Sequence, residues 1–256
     1  MEEFDQTKED INKTKITDKF SIAQVQFNLD SGLPPLYGYR QKSKTQYDTS
    51  NQELFNEIHS QIQIPSFIKY SSVFQLFTGV LYINSVTMHE SCIYSDDTDF
   101  TQCNIEHIFP QCRFKEHKEL KYDLHHIFLC NMKINSKRSN YRFEQIDGIN
   151  DGKYRVTTAN HIFNPSIKFK GKVARALAYV FTLYPSLIND IISFDTIVIW
   201  NMISPVTEEE IERNNLVEQI QGNRNPYIDN PSLINSIWGT HDITMRVNGE
   251  EIHYSC

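Results

Sequence analysis

Cysteine is scarce and unevenly placed in this chain. There are five, Cys92, Cys103, Cys112, Cys130 and Cys256, an odd number with no C-x-x-C spacing. That pattern argues against a disulfide framework and against a cysteine-based zinc site, and it predicts reduced thiols in a cytosolic environment. Long hydrophobic runs are missing as well. The start, "MEEFDQTKEDINKTKITDKF", carries charge throughout and no apolar core of the signal-peptide kind, and no later stretch is apolar for long enough to span a bilayer. The expectation is a soluble intracellular protein of the cytoplasm, the nucleus or a viral particle, with no membrane partner. Internal repeats and long linkers are absent too, which leaves no reason to split the chain into two large domains.

What is present suffices for a core. The 256 residues are 39% apolar, and the formal charge is −7. A negative sum disfavours a protein that simply coats nucleic acid, but it does not report the potential inside a cleft. Residues 1–48 are polar and aperiodic and read as an arm, partly mobile. Helical spacing begins with Leu54, Phe55, Ile58 and Ile62 and resumes with Val73, Phe74, Phe77 and Leu81. "CNIEHIF" alternates as a strand ending at Pro110, and "YDLHHIFLC" is a second short strand from Leu124 to Leu129. A short helix follows near Asn131. "KVARALAYVFTLYP" is a clearer helix with Val173, Leu177, Val180, Phe181 and Tyr184 on one face. "TEEEIERNNLVEQIQ" starts with Thr207 as cap and Glu210 as its reciprocal partner. Residues 241–256 form a loosely organised tail.

Strand, loop, strand and helix can supply the parts of a phosphodiester hydrolase: a base for water, oxygen ligands for a hard cation, and a positive donor. Glu106 and His107 stand at the end of the first strand, and Asn131, Asn135 or Asn140 lies on or beside the helix. Adjacent strand residues point to opposite faces, so a shared role for Glu106 and His107 requires the strand to bend or end there. His125 and His126 suggest a zinc site at first sight, but they read better as structural histidines, and His117 as an exposed, inert one.

The runs "EHIFPQCRF" and "DLHHIFLCNMKINSKRSNYRF", with "KGKVARALAYVFTLYP" and "RNNLVEQIQGNRNPYIDNP" in the same order, resemble the endonuclease I family, a branch of the His-Me finger (ββα-metal) nucleases. The likeness spans roughly residues 52–239. It implies an α+β fold, with a ββα-metal (His-Me) finger nuclease core embedded in a mostly helical single domain over residues 49–240. It implies a largely sequence-nonspecific endonuclease acting on DNA, with RNA as second candidate substrate, and leaving 5′-phosphate and 3′-hydroxyl ends. Glu106 then matches the metal-binding acid and His107 the general base. Asn135, 12 residues after Asp123, matches the amide that completes the metal site. Arg138 and Asn140 fall in the Arg-x-Asn element beside it. Mg²⁺ is the implied cofactor, with Mn²⁺ as substitute.

The chain departs from the family where an insertion is missing between the two blocks. Some members keep there the arginine that contacts the cleaved phosphate; Arg113, Arg142 and Arg175 are the candidates to replace it. Between Glu106 and Phe143 eight Lys or Arg residues face four acids, a local excess that suits a phosphate cleft. Arg113, Lys133, Lys137 and Arg142, with Lys168, Lys170, Lys172 and Arg175 of "KFKGKVAR", are therefore the expected nucleic-acid contacts. Arg224 and Asn225 are expected to brace the site. The alternative reading is a catalytically weak or inactive binder that keeps the fold as part of a particle. An inhibitor or particle partner would be one way to restrain a nuclease inside a cell.

Overall fold

The computed structural model describes residues 36–37, 49–62, 73–87, 92–95, 100–146, 153–188, 190–239, 242–247 and 250–255. The chain divides into Met1–Leu33 and Pro34–Cys256, and every described residue belongs to the second unit. Most of the expected arm, residues 1–48, lies outside the described residues. Its described part, strand β1 (Leu36–Tyr37), pairs antiparallel with β7 (Asp242–Val247). β7 in turn pairs antiparallel with β8 (Glu250–Ser255), so the tail carries a hairpin.

The rest is mostly helical with short strands. Helices α1 (Thr49–Gln61) and α2 (Val73–Val86) fall on the two periodic stretches. β2 (Cys103–His107) and β3 (Ile127–Asn131) form an antiparallel pair in which Cys103 faces Asn131 and His107 faces Ile127. α3 (Met132–Arg138) follows at once, because the Asn131 side chain accepts the Lys133 backbone N–H and caps it. It stops at Ser139, whose φ of 51° breaks the helical course. The expected second strand began three residues too early. Leu124–His126 is a 3₁₀ turn, since the Asp123 carboxylate accepts the His125 N–H and curls the chain before β3 begins.

β4 (Arg142–Phe143) runs parallel to β6 (Ile162–Asn164), and β5 (Arg155–Thr157) runs antiparallel to it. α4 (Ile167–Leu183) is the central element: every residue from Phe169 to Leu183 is buried. A helix covered on all sides needs neighbours on all sides. α5 (Phe194–Ile203) packs along it, and α1, α7 (Pro226–Asp229) and α8 (Ser232–Trp238) also lie within the assembly around it. The principal core joins Phe109, Phe128, Phe181, Trp200 and Trp238. A second core places Leu76 and Val80 of α2 with Ile127 and Leu129 of β3 and with Val217 of α6 (Glu208–Gln221). β2 and β3 thus lie against packed cores, which fixes the strand that bears Glu106 and His107.

Two expectations need correction. Cys92 and Cys103 form a disulfide, so the thiols are not all reduced; Cys112 and Cys130 are free. The odd count concealed one pair, because spacing alone cannot reveal which cysteines the fold brings together. Thr207 does cap α6, accepting the Glu210 N–H at 3.3 Å, but the Glu210 carboxylate does not reciprocate. It turns inward to Arg175. Among the described residues no helix is long and apolar enough to cross a membrane.

Candidate active site

Glu106 is the fourth residue of β2 and is only 3% exposed. Its Oε1 accepts a hydrogen bond from the Tyr94 hydroxyl at 3.1 Å. Arg138 Nε, from the last turn of α3, lies 3.1 Å from the same oxygen. That contact is a charge pairing rather than an aligned hydrogen bond, since Nε has no hydrogen-bond partner. The rest of the guanidinium is held by the carbonyls of Ile108 and Ser139, and its Cζ lies 4.7 Å from the Phe143 ring centre. Burial pushes the Glu106 carboxyl up to about 7 even though Arg138 and the Tyr94 hydroxyl pull it down.

His107 ends β2, and the ending resolves the problem of adjacent residues facing opposite ways. The next residue leaves the ladder, although Ile108 N–H still reaches the His126 carbonyl at 2.9 Å. The imidazole Nε2 lies 3.0 Å from the Lys121 carbonyl, an acceptor, so Nε2 must carry the proton. Nδ1 is then the lone-pair nitrogen, and the Gln111 side-chain amide donates to it at 2.9 Å. Burial, then the neighbouring His126, hold the ring down to about 3, so it is neutral across the physiological range. Arg138 also disfavours its protonation, which links the two halves of the pair electrostatically.

The three asparagines separate. Asn131 caps α3. Asn140 donates toward the Cys112 sulfur at 3.8 Å. Asn135 reaches β2: its Nδ2 donates to Asn104 Oδ1 at 2.8 Å and to the Ile105 carbonyl at 3.0 Å. Both bonds engage the nitrogen and leave the amide oxygen out of the contact with β2. Among the described residues no three His, Cys, Asp or Glu side chains cluster as a metal cage. The oxygen donors expected from the sequence are those of Glu106 and Asn135, on β2 and α3. That set fits Mg²⁺, which needs few protein ligands and keeps several waters, better than it fits zinc.

His125 and His126 are structural. Their Nε2 atoms bond the carbonyls of Asn223 and Leu120, at 3.0 and 2.6 Å, and burial lowers both rings. His117 is half-buried rather than exposed, set against Tyr184 with ring centres 4.7 Å apart. Arg224 does not brace the site; it ties Glu218 to Asp229. Asn225 caps α7 and bonds the Arg175 carbonyl.

The expected phosphate contacts divide sharply. Lys133 and Lys137 are exposed on α3, and Lys168 is exposed at the start of α4. Arg113 pairs with Asp190 at 2.7 Å and Arg142 with Glu144 at 2.6 Å. Lys170, Lys172 and Arg175 are buried, at 3%, 5% and 1% exposure, and cannot line an open cleft. Lys170 donates to Gln145 at 2.7 Å, Lys172 faces Glu209 at 3.5 Å, and Arg175 grips Glu210. The basic run of α4 was misread because its partners, Glu209, Glu210 and Gln145, are distant in sequence. Tyr94 and Gln111 were missed outright. Gln111 sits four residues beyond His107, a detectable offset, whereas nothing near Tyr94 marks it.

A profile of the endonuclease I family matches residues 24–232. The chain is 29% identical to "Endonuclease-1" of Buchnera aphidicola subsp. Acyrthosiphon pisum over 119 residues, 44% of this chain and 47% of that protein. It is 30% identical to "Extracellular ribonuclease" of Bacillus amyloliquefaciens over 137 residues, 45% of this chain and 46% of that protein. For the protein of the same name in Bacillus subtilis the figures are 30% over 159 residues, 53% of this chain and 54% of that protein. The chain thus spans about half the length of the curated relatives it matches. The word extracellular in two of these names overturns the expectation of an intracellular protein, and the Cys92–Cys103 disulfide agrees, since such bonds persist in oxidising compartments.

Proposed function

The chain belongs to the endonuclease I family, and from that premise we propose that it is a secreted, metal-dependent endonuclease that hydrolyses DNA and RNA with little sequence preference. β2, β3 and α3 are read as its ββα-metal finger. The observation that carries the reading is the placement of Glu106, buried and paired with Arg138, directly before a neutral His107, with Asn135 anchored by its nitrogen to the same strand.

Glu106 and Asn135 Oδ1 would hold Mg²⁺, with Mn²⁺ as substitute; when bound, the cation supplies charge neutralisation at the leaving 3′ oxygen. His107 Nδ1 takes the proton of a water whose oxygen forms the new bond to phosphorus as the bond from phosphorus to the 3′ oxygen breaks. The departing oxygen takes a proton from solvent, giving 5′-phosphate and 3′-hydroxyl ends. The Lys121 carbonyl stabilises the imidazolium through Nε2–H, and Gln111 must release Nδ1 when water arrives. Lys133, Lys137 and Lys168, exposed near or on the elements that carry the site, are the candidates for contact with flanking phosphates.

Plasmid DNA and a structured RNA, incubated with protein dialysed against EDTA, test this directly. Both should survive until Mg²⁺ is added and then be cut. Full cleavage at a verified absence of divalent metal would refute the reading.

A further inference from the structure

Beside the proposed centre lies a cavity of about 750 Å³ whose lining combines aromatic residues with lysines. Among the described residues Tyr141 and Tyr154 line it with partly exposed rings, the buried Tyr94 and Phe169 lie behind them in the lining, and Lys137 and Lys153 supply charge. The cavity shares two parts with the centre. Tyr94, one of its lining residues, is hydrogen-bonded through its buried hydroxyl to Glu106, and Lys137 stands two residues after Asn135 on α3. The rings are held firmly. Tyr154 stacks on Phe163 with centres 5.6 Å apart and planes at 15°, and Tyr141 packs on His161 at 4.9 Å. Both tyrosines are half-buried, so the interior fixes one side of each and the remainder borders the space. Lys137 Nζ lies 3.3 Å from the Tyr154 hydroxyl, which puts a cation at the edge of the stacking surface.

Rings with a π-face, bordered by ammonium groups, match the two halves of a nucleotide: a base to stack and a phosphate to neutralise. The volume falls in the range of ordinary small-ligand pockets and admits a base with its sugar, but not a duplex. A base can enter only when it is out of the helical stack. A paired base must first be flipped, which costs unstacking and unpairing, whereas a single strand offers its bases without that cost.

We infer that this cavity is a nucleotide subsite that receives an unpaired base flanking the scissile phosphate, and that it gives the enzyme a preference for single-stranded RNA and DNA over duplex. The inference rests on the nuclease reading above and names the substrate form that the same site prefers. Stacking on π-faces is tolerant of base identity, so the preference is for strandedness and not for sequence. The subsite also explains how an acidic chain whose buried α4 lysines are withdrawn from solvent holds its substrate: ring contact supplements the few exposed phosphate contacts.

The test compares wild type with Tyr154→Leu, which keeps apolar volume against Phe163 but removes the aromatic face, and with Tyr154→Phe, which keeps the face and removes the hydroxyl. Thermal melts establish that each variant is folded. Substrates are a short single-stranded RNA, the DNA of the same sequence, and each annealed to its complement. Wild type should cleave both single strands with higher kcat/KM than their duplexes. Tyr154→Leu should raise KM for single strands about 10-fold, in line with one lost stacking contact, with kcat little changed and duplex cleavage unaffected. Tyr154→Phe should restore the wild-type KM. In His107→Ala protein, an oligonucleotide carrying 2-aminopurine should lose fluorescence on binding, and the added Tyr154→Leu change should abolish that loss. Equal cleavage of single strand and duplex by wild type, or an unchanged single-strand KM in Tyr154→Leu, overturns the subsite while leaving the nuclease reading intact. Failure of wild type to cleave any substrate with Mg²⁺ defeats the nuclease reading instead, and the 2-aminopurine titration then still decides whether the cavity takes a base.

Discussion

Replacing Arg175 by Ala should cost the fold heavily and should barely touch the contact with nucleic acid. The side chain is 1% exposed. Its Nε and Nη2 donate to the two oxygens of Glu210 at 2.8 and 2.6 Å, and Nη1 donates to Asn201 Oδ1 and the Ser204 carbonyl, each at 3.0 Å. Gly171, one turn earlier on α4, makes room for this group: a Cβ there would come within 2.6 Å of Arg175 Nη2 and collide with the Ser204 carbonyl. Truncating the arginine leaves Glu210 charged, 3% exposed and unpaired, and breaking a buried pair in this way costs about 3–5 kcal/mol. For a chain of this size that corresponds to a fall in Tm of roughly 6–20 °C. Changing both partners, Arg175→Met with Glu210→Met, should recover much of the loss because no buried charge is orphaned. Urea unfolding followed by circular dichroism measures the cycle, and binding titrations at several salt concentrations measure the slope of affinity. A variant as stable as wild type, with a flattened salt slope, would refute the reasoning and return Arg175 to the phosphate cleft.

Reduction of the Cys92–Cys103 disulfide, or Cys103→Ser, should lower stability by about 2–4 kcal/mol, and an unchanged unfolding midpoint in dithiothreitol would contradict the bond. Lys170→Ala and Lys172→Ala should leave the salt dependence of binding unchanged, whereas Lys133→Ala and Lys137→Ala should flatten it; the opposite ranking would mean that α4 faces substrate. Stability in EDTA should fall as pH drops from 6.5 to 4.5. His125 and His126 are held neutral by burial, so the unfolded chain takes up protons that the folded one refuses, and their contribution, intact above 6.5, is lost below it. His107, lowered to about 3, acts in the same sense, while Glu106, raised to about 7, favours folding at low pH and loses that contribution as pH rises from 4.5 toward 7. The last two oppose each other in this window, so the two buried histidines set the slope. A denaturation midpoint that is flat or rises on acidification would show them charged in the fold.

Local pattern made the helices and the strand pair readable. Periodic apolar residues placed α1, α2 and most of α4, and Thr207 marked the start of α6. The proposed set of Glu106, His107, Asn135 and Arg138 comes from two short runs close in sequence, which the fold carries on β2 and α3. What escaped the sequence reading depends on distant contacts. Lys172 and Arg175 appear unopposed along the chain and meet Glu209 and Glu210 only after α6 folds back on α4. Cys92 meets Cys103 at a sequence separation of 11, and Tyr94 reaches Glu106 from outside the strand pair. The boundary of β3 shifted because the Asp123 side chain bonds the backbone locally, which alternation of apolar residues does not register.

The central claim, that His107 activates water in a metal-dependent hydrolysis, is tested most directly by single-turnover cleavage of a labelled single-stranded RNA at saturating Mg²⁺, comparing wild type with His107→Ala. His107 Nδ1 is the assigned proton acceptor, and it makes no assigned contact to a phosphate. The account predicts a fall in the cleavage rate of about 10² to 10⁴-fold, with the dissociation constant, measured in EDTA, nearly unchanged. A folded His107→Ala protein that cleaves at the wild-type rate would contradict it.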